Sequence, residues 1–182
     1  MGKRKKAASR FLFVALCALV FPGADRCYGG FVQSPAVAVI VDDLGFSLDA
    51  AKRLASIPIP VTWAIIPYQR FSQATARMAG DLGIPFLVHM PMEAKGSPGD
   101  RKALVRAGMD PEAVRVAVRN ALWSLPGAAG LNNHQGSRAT EDPRAMGGVM
   151  LELKAEGLFF VDSRTSGGSV AYHVAVETGL PA

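Results

Sequence analysis

Cysteine is nearly absent from this chain, with two in 182 residues, Cys17 and Cys27. That excludes a thiolate metal site, and no internal disulfide remains once a leader containing Cys17 is removed. Acid is missing from the first ten residues, where Lys3, Arg4, Lys5, Lys6 and Arg10 stand. Those five account for the whole formal net charge of +5, and without them fifteen basic residues face fifteen acidic ones. The rest of the chain therefore gives no support to nucleic-acid binding. The apolar run that follows, FLFVALCALVF (Phe11 to Phe21), has eleven residues, too short for a usual membrane span. A basic stretch before a short apolar run reads as a secretory signal, with Ala24 or the Cys27–Gly29 spacing as cleavage candidates. An uncleaved N-terminal anchor is the alternative, and would be the only membrane contact. Both place the protein outside the cytoplasm, in the periplasm or cell envelope. Residues 1–30 are thus the leader or anchor, and residues 31–182 the folded domain.

What is present suits one globular core: 49% of residues are hydrophobic and 19% charged. From Ala36 onward short apolar runs alternate with helix-like segments. The runs are Ala36–Val41, Val61–Ile66, Ile84–Val88, Ala128–Asn132 and Leu158–Val161. Helices are expected over Ser47–Ser56, Phe71–Leu82, Pro111–Leu125, Pro143–Glu156 and Ser169–Thr178. Asp110-Pro111 and Asp142-Pro143 each place a capping acid before a first-turn proline. Gly83, Gly127 and Gly157 provide stops. Val114, Val118, Ala121, Leu122 and Leu125 form an apolar stripe, with Arg115 and Arg119 off it. Glu93 to Gly108 has no period and reads as a long loop. Repeated strand–helix alternation implies an α/β fold of parallel strands with right-handed crossovers, as an open sheet or a barrel.

The polar residues gather at the C-terminal ends of the strands. The first ends in Asp42-Asp43, the second in Pro67-Tyr68, the third in HMPME (His89 to Glu93). The fourth ends in NNHQGS (Asn132 to Ser137) and the fifth in DSRT (Asp162 to Thr165). In parallel α/β folds these ends share one face, where sites are built. Each feature alone has an ordinary reading. Asp42-Asp43 could be a turn and helix cap, and His89 or His134 a hydrogen-bonded core histidine. Asn132-Asn133 could cap a turn, Asp162 and Arg164 pair locally, and Glu93 cap the loop. Their joint placement favours a site. His173, inside the last helical segment, reads as an ordinary surface or packing residue. His89, His134 and one of the two aspartates form a donor set suited to a divalent metal, zinc above all. The other aspartate would stay free to take a proton from an attacking water. Adjacent acids can divide in this way only where the strand unwinds, which Gly45 would permit.

VIVDDLG, AIIPY, HMPME, GLNNHQGS and FVDSRT, in this order over about Ala36 to Ala182, resemble the divergent polysaccharide deacetylases, relatives of the NodB-type carbohydrate deacetylases. The resemblance implies a distorted parallel β/α barrel of the glycoside hydrolase/deacetylase type. It also implies an exported protein directed at carbohydrate, either cell-envelope polysaccharide or peptidoglycan. By analogy Asp42 would be the general base, and Asp43, His89 and His134 the ligands of a divalent metal, with zinc expected. Asp162 and Arg164 would form a supporting shell orienting the base or a ligand, with Asn133 and Glu93 also in support. The implied reaction is metal-dependent removal of acetyl groups from N-acetylated envelope sugars. The alternative is a non-catalytic carbohydrate-binding or envelope-associated protein using the same cleft.

Gln135 and Ala94 stand where the family pattern usually has Met and Pro. Leu180-Pro181-Ala182 falls where a sixth strand would begin, so the chain resembles a copy truncated at its C-terminus, its barrel incomplete there. An unclosed first strand leads to the expectation of low stability or self-association, with little deacetylase activity.

Overall fold

The alternation read from the sequence is the architecture observed. The computed structural model describes residues 37–97, 102 and 104–182. The leader or anchor and both cysteines lie outside the described residues. Five parallel strands are ordered β1-β2-β3-β4-β5: β1 (Ile40–Leu44), β2 (Thr62–Ile65), β3 (Phe86–Met92), β4 (Gly130–Gln135) and β5 (Phe159–Val161). The helices α1 (Leu48–Ala55), α2 (Ser72–Asp81), α3 (Pro111–Ser124), α4 (Pro143–Ala155) and α5 (Ala171–Thr178) follow the strands in turn. This is the α/β fold of a distorted β/α barrel whose sheet is not closed. After α5 the chain returns beside β5, where Pro181 O accepts the Phe160 N–H at 3.1 Å.

Local chemistry sets the helix starts. Asp110 accepts the backbone N–H groups of Glu112 and Ala113, and Asp142 those of Arg144 and Ala145, each ahead of a first-turn proline. A side-chain acceptor there satisfies donors that the helix itself cannot. Asp142 also takes the Gly108 N–H at 2.6 Å, tying the end of the long loop to α4. Burial raises the Asp142 carboxyl, but these backbone donors outweigh it and hold it below its usual value. Within the loop, Val105 is fully buried and bridges to Met92.

Trp63, Ile65, Leu87, Leu131 and Phe160 fill the core from the strands, and Val114, Val118, Met146, Val149 and Leu153 from α3 and α4. Burying a valine or leucine side chain contributes about 1.5–3 kcal/mol, so the apolar stripe on α3 secures that helix. Close approach of α3 and α4 depends on Gly148, where a Cβ would meet Pro111 O at 2.7 Å. The same interface holds a group that the apolar stripe concealed. Glu152 of α4 is 1% exposed, and Arg119 and Arg115 reach its carboxylate from α3 at 2.6–3.1 Å.

Two strands run further than their apolar residues suggested. β3 extends through His89 to Met92, and β4 through Asn133 and His134 to Gln135. These polar residues sit within paired strands, with His89 opposite Asn132 and Pro91 opposite His134. The alternative reading of Asn132-Asn133 as a capped turn is thereby corrected: the strand ladder takes up that backbone.

Candidate metal centre

The first strand breaks its regularity where the two aspartates stand. Its pairing with β2 is irregular between Val41 and Leu44, and Asp43 has a left-handed backbone at φ 62°. A regular strand would send Asp42 and Asp43 to opposite faces. The break lets both carboxylates serve one region. Gly45 at φ 115° completes the turn, and a Cβ there would meet Ser72 Oγ at 2.8 Å. Helix α1 takes its cap from Ser47, whose hydroxyl accepts the Ala50 N–H, so capping does not account for the aspartate pair.

Asp43, Tyr68, Gln135 and Arg164 are the non-glycine residues with left-handed backbone among the described residues. They lie at the C-terminal ends of β1, β2, β4 and β5. Such conformations cost free energy and persist only where the surroundings hold them, and they cluster at functional sites. Here they mark the rim on which the polar residues gather.

Within that rim Asp43 Oδ1 lies 2.9 Å from His134 Nδ1 and 3.3 Å from His89 Nε2. The two imidazole nitrogens are 3.2 Å apart. Asp43, His89 and His134 thus form a group that could hold a metal ion. Metal–ligand distances of about 2.0–2.2 Å in tetrahedral geometry separate neighbouring ligand atoms by roughly 3.3 Å, close to the triangle seen here. The donor set and its spacing therefore fit a divalent ion with an open position. His89 is buried, whereas the Asp43 side chain is 63% exposed, so the triangle has one open side.

Burial pulls the His89 imidazole below its ordinary range, and the charge of His134 adds to this. Its hydrogen bond to Asn132 and the carboxylates of Asp42 and Asp43 oppose the shift without cancelling it. A neutral imidazole is the form that ligates metal. Asp42 stands beside the triangle, its Oδ1 3.7 Å from His89 Nδ1, beyond hydrogen-bond reach. Asp42 Oδ1 instead accepts from Asn132 Nδ2 at 2.9 Å. That bond joins β4 to β1 across the two intervening strands and reflects the curl of the sheet.

The remaining expected residues stand around this group in other ways. Asn133 Oδ1 accepts the Ser163 N–H at 2.9 Å and its Nδ2 donates to Gln135 O, linking β4 to the loop after β5. Glu93 is buried, accepts the Ala107 N–H at 3.0 Å and lies 3.8 Å from Arg138, so it braces the long loop. Asp162 receives the Arg164 backbone N–H and the Ser169 hydroxyl. Its carboxylate therefore holds its own turn, and Arg164 is exposed with its backbone engaged there. The expectation that these two orient the base or a ligand is corrected on this point. Asn132, which sits among the more conspicuous Asn133 and His134, is the residue that contacts both Asp42 and His89. Lys95, Glu141 and Ser166 form a further link over the rim, with Lys95 Nζ 2.6 Å from Glu141 Oε1. Lys95 and the Ser166 hydroxyl hold the Glu141 carboxyl below its usual value. His173 lies exposed on α5 against Tyr172.

A cleft of about 580 Å³ opens beside His134, lined also by Phe46, Tyr68, Pro91 and Leu104. Phe46 and Tyr68 are both more than half exposed.

This fold and rim define a deacetylase-like β/α protein. Residues 39–182 match the family described as divergent polysaccharide deacetylase, and the chain belongs to that family. It is 35% identical over 162 residues to an uncharacterized protein of Haemophilus influenzae, covering 89% of this chain and 58% of that one. It is 29% identical over 168 residues to the uncharacterized protein YibQ of Escherichia coli, covering 92% and 50%. The chain thus spans between half and three-fifths of these relatives. Among solved structures, the uncharacterized protein ATU2773 of Agrobacterium tumefaciens shares the fold with a TM-score of 0.72 at 23% identity. The match covers 79% of this chain and 60% of that one. A lactam utilization protein of Thermus thermophilus shares it more loosely, with a TM-score of 0.58 at 15% identity over 80% and 64%.

Proposed function

We propose that the protein is a metal-dependent hydrolase that removes acetyl groups from N-acetylated carbohydrate of the cell envelope, working outside the cytoplasm. The observation that carries this is the triangle of Asp43, His89 and His134 with a second, separate carboxylate, Asp42, beside it. These three residues would hold one divalent ion, zinc by donor type. When bound, the ion supplies Lewis acidity to an acyl oxygen and lowers the pKa of water at the site.

Asp42 is suited to general-base work because its carboxylate stands outside the triangle, held at Oδ1 by the Asn132 side-chain amide. It would take a proton from the attacking water as the new C–O bond forms at the acetyl carbon. The same proton can pass to the departing nitrogen as the C–N bond breaks, giving acetate and the free amine. The cleft beside His134, walled by Phe46 and Tyr68, offers apolar surface to a sugar ring. The basic, apolar start of the sequence supports export.

The test is metal analysis of the purified protein, followed by acetate release from N-acetylated chito-oligosaccharide and peptidoglycan fragments. The expected result is acetate release, at a low level in keeping with the unclosed sheet, that a chelator abolishes and zinc restores. Bound metal and bound carbohydrate without any acetate would replace it with the non-catalytic carbohydrate-binding reading.

A further inference from the structure

Asn132 is 2% exposed. Its Nδ2 lies 3.5 Å from Ser163 Oγ, a hydroxyl that can donate or accept and so suits either amide orientation. The amide also faces two further groups with opposite demands. On one side is Asp42 Oδ1, 2.9 Å from Asn132 Nδ2, and on the other His89 Nδ1, 2.9 Å from Asn132 Oδ1. An ionised carboxylate only accepts hydrogen bonds, so the amide must turn its NH2 toward Asp42. Rotating the amide by half a turn would set two acceptor oxygens 2.9 Å apart. With the NH2 committed, the carbonyl oxygen is left for His89 and can only accept. His89 must therefore carry its proton on Nδ1. A neutral imidazole has one proton, so Nε2 is bare, and Nε2 is the atom that faces Asp43 Oδ1 and His134 Nδ1.

We propose that Asn132 is a positioning residue that fixes the His89 tautomer from the charge of Asp42, keeping the Nε2 lone pair directed into the metal triangle. One buried amide then links the carboxylate proposed as base to a proposed ligand, so each orients the other. The part concerning metal affinity rests on the proposed metal centre, whereas the part concerning the tautomer does not. A hydrogen bond from an outer partner to a ligating histidine typically changes metal affinity by about 10–100-fold.

The experiment begins with the metal-free wild-type protein. Nitrogen-15 NMR of its three histidines, at a pH where imidazole is neutral, reads the tautomer of each. His89 is expected with a protonated Nδ1 and a bare Nε2. A proton on Nε2, or equal amounts of both tautomers, overturns the inference without any variant. Zinc affinity is then measured by competition with a chelator for Asn132→Leu and Asn132→Asp. Leucine fills the space without hydrogen bonding, and should weaken zinc by about 10–100-fold and release the tautomer. Aspartate still accepts from His89 Nδ1, and where it faces Asp42 the two carboxyls must share a proton. It should therefore keep the tautomer and more of the affinity than leucine does. Equal losses in both variants would mean that the acceptor facing His89 Nδ1 does not matter and that only the shared loss of the amide donor is felt, which also overturns the inference. Absence of zinc binding in the wild type would remove the proposed metal centre and leave the tautomer result standing on its own.

Discussion

Asp42 and Asp43 are adjacent in the chain, yet their carboxylates have separate partners. Asp42 Oδ1 meets Asn132 Nδ2 at 2.9 Å, and Asp43 Oδ1 meets His134 Nδ1 at the same distance. The left-handed backbone of Asp43 makes this division, because a regular strand would carry one of the two away from the site. It also allows their roles to be separated by experiment.

Asp43→Asn should lower metal content after gel filtration, since it weakens one of three protein donors. Asp42→Asn keeps all three protein donors, so its metal loss should be the smaller, at most the ~10–100-fold that releasing the His89 tautomer brings. Its acetate release should fall by about 10²–10⁴-fold, the usual worth of a general base. Equal metal loss in both variants would show that the two acids ligate together.

His134→Ala removes a donor at the open side of the triangle. The expected fall in zinc affinity exceeds the ~10–100-fold that loss of an outer hydrogen-bond partner produces. His134 is half-buried and lies near the end of β4, so the fold should survive the change. Zinc titration with a competing chelator, alongside a thermal melt, separates the two effects. Undiminished affinity in a folded variant would remove His134 from the metal centre.

Much of this architecture was legible because its signals are local. Apolar runs, Asp-Pro helix starts and glycine stops each act within a few residues, and all five strand–helix units stand where they indicated. The convergence of Asp43, His89 and His134 was legible too, since parallel strands bring their C-terminal ends to one face. Asn132 was not, because its partner Asp42 is ninety residues away and the two meet only through the curl of the sheet. Glu152 was hidden for a similar reason. In MLELKAEG it looks like one of two surface acids, and only the packing of α4 on α3 buries it under two arginines. Asp162 and Arg164 illustrate the converse, where the resemblance implied a shell orienting the base or a ligand and the turn itself absorbs the Asp162 carboxylate.

The pH response of His89 follows from its surroundings. Burial lowers its folded pKa below the ordinary 6.5, so the folded protein favours the neutral ring. Its contribution to the stability of the metal-free protein is fully present above about 6.5, the unfolded value. It is lost as the pH falls from there toward the folded value, because the unfolded chain takes up the proton first. An NMR titration of metal-free protein should give His89 a midpoint below 6.5. A midpoint above it would mean that the two carboxylates outweigh burial.

Glu152 tests the α3–α4 interface independently of any chemistry at the rim. Burial pushes its carboxyl up, but the hydrogen bonds and charges of Arg119 and Arg115 together hold it below the ordinary 4.5. Its contribution is therefore present above that value and disappears as the pH falls through the folded one. Glu152→Gln removes the charge while keeping the shape, leaving two arginines facing a neutral amide. Breaking a fully buried pair is strongly destabilising, but both arginines here are about one-third exposed and can regain water. A drop in melting temperature of about 5–10 °C at neutral pH is expected for a domain of this size. Trp63 is fully buried and Trp123 is 70% exposed, so the fluorescence change on melting reports mainly on Trp63 in the core. Repeating the melts in progressively more acid buffer should bring wild type and variant together as Glu152 becomes protonated. A gap that persists undiminished in acid would mean that the Glu152→Gln substitution disturbs packing, and that the charge of Glu152 contributes little.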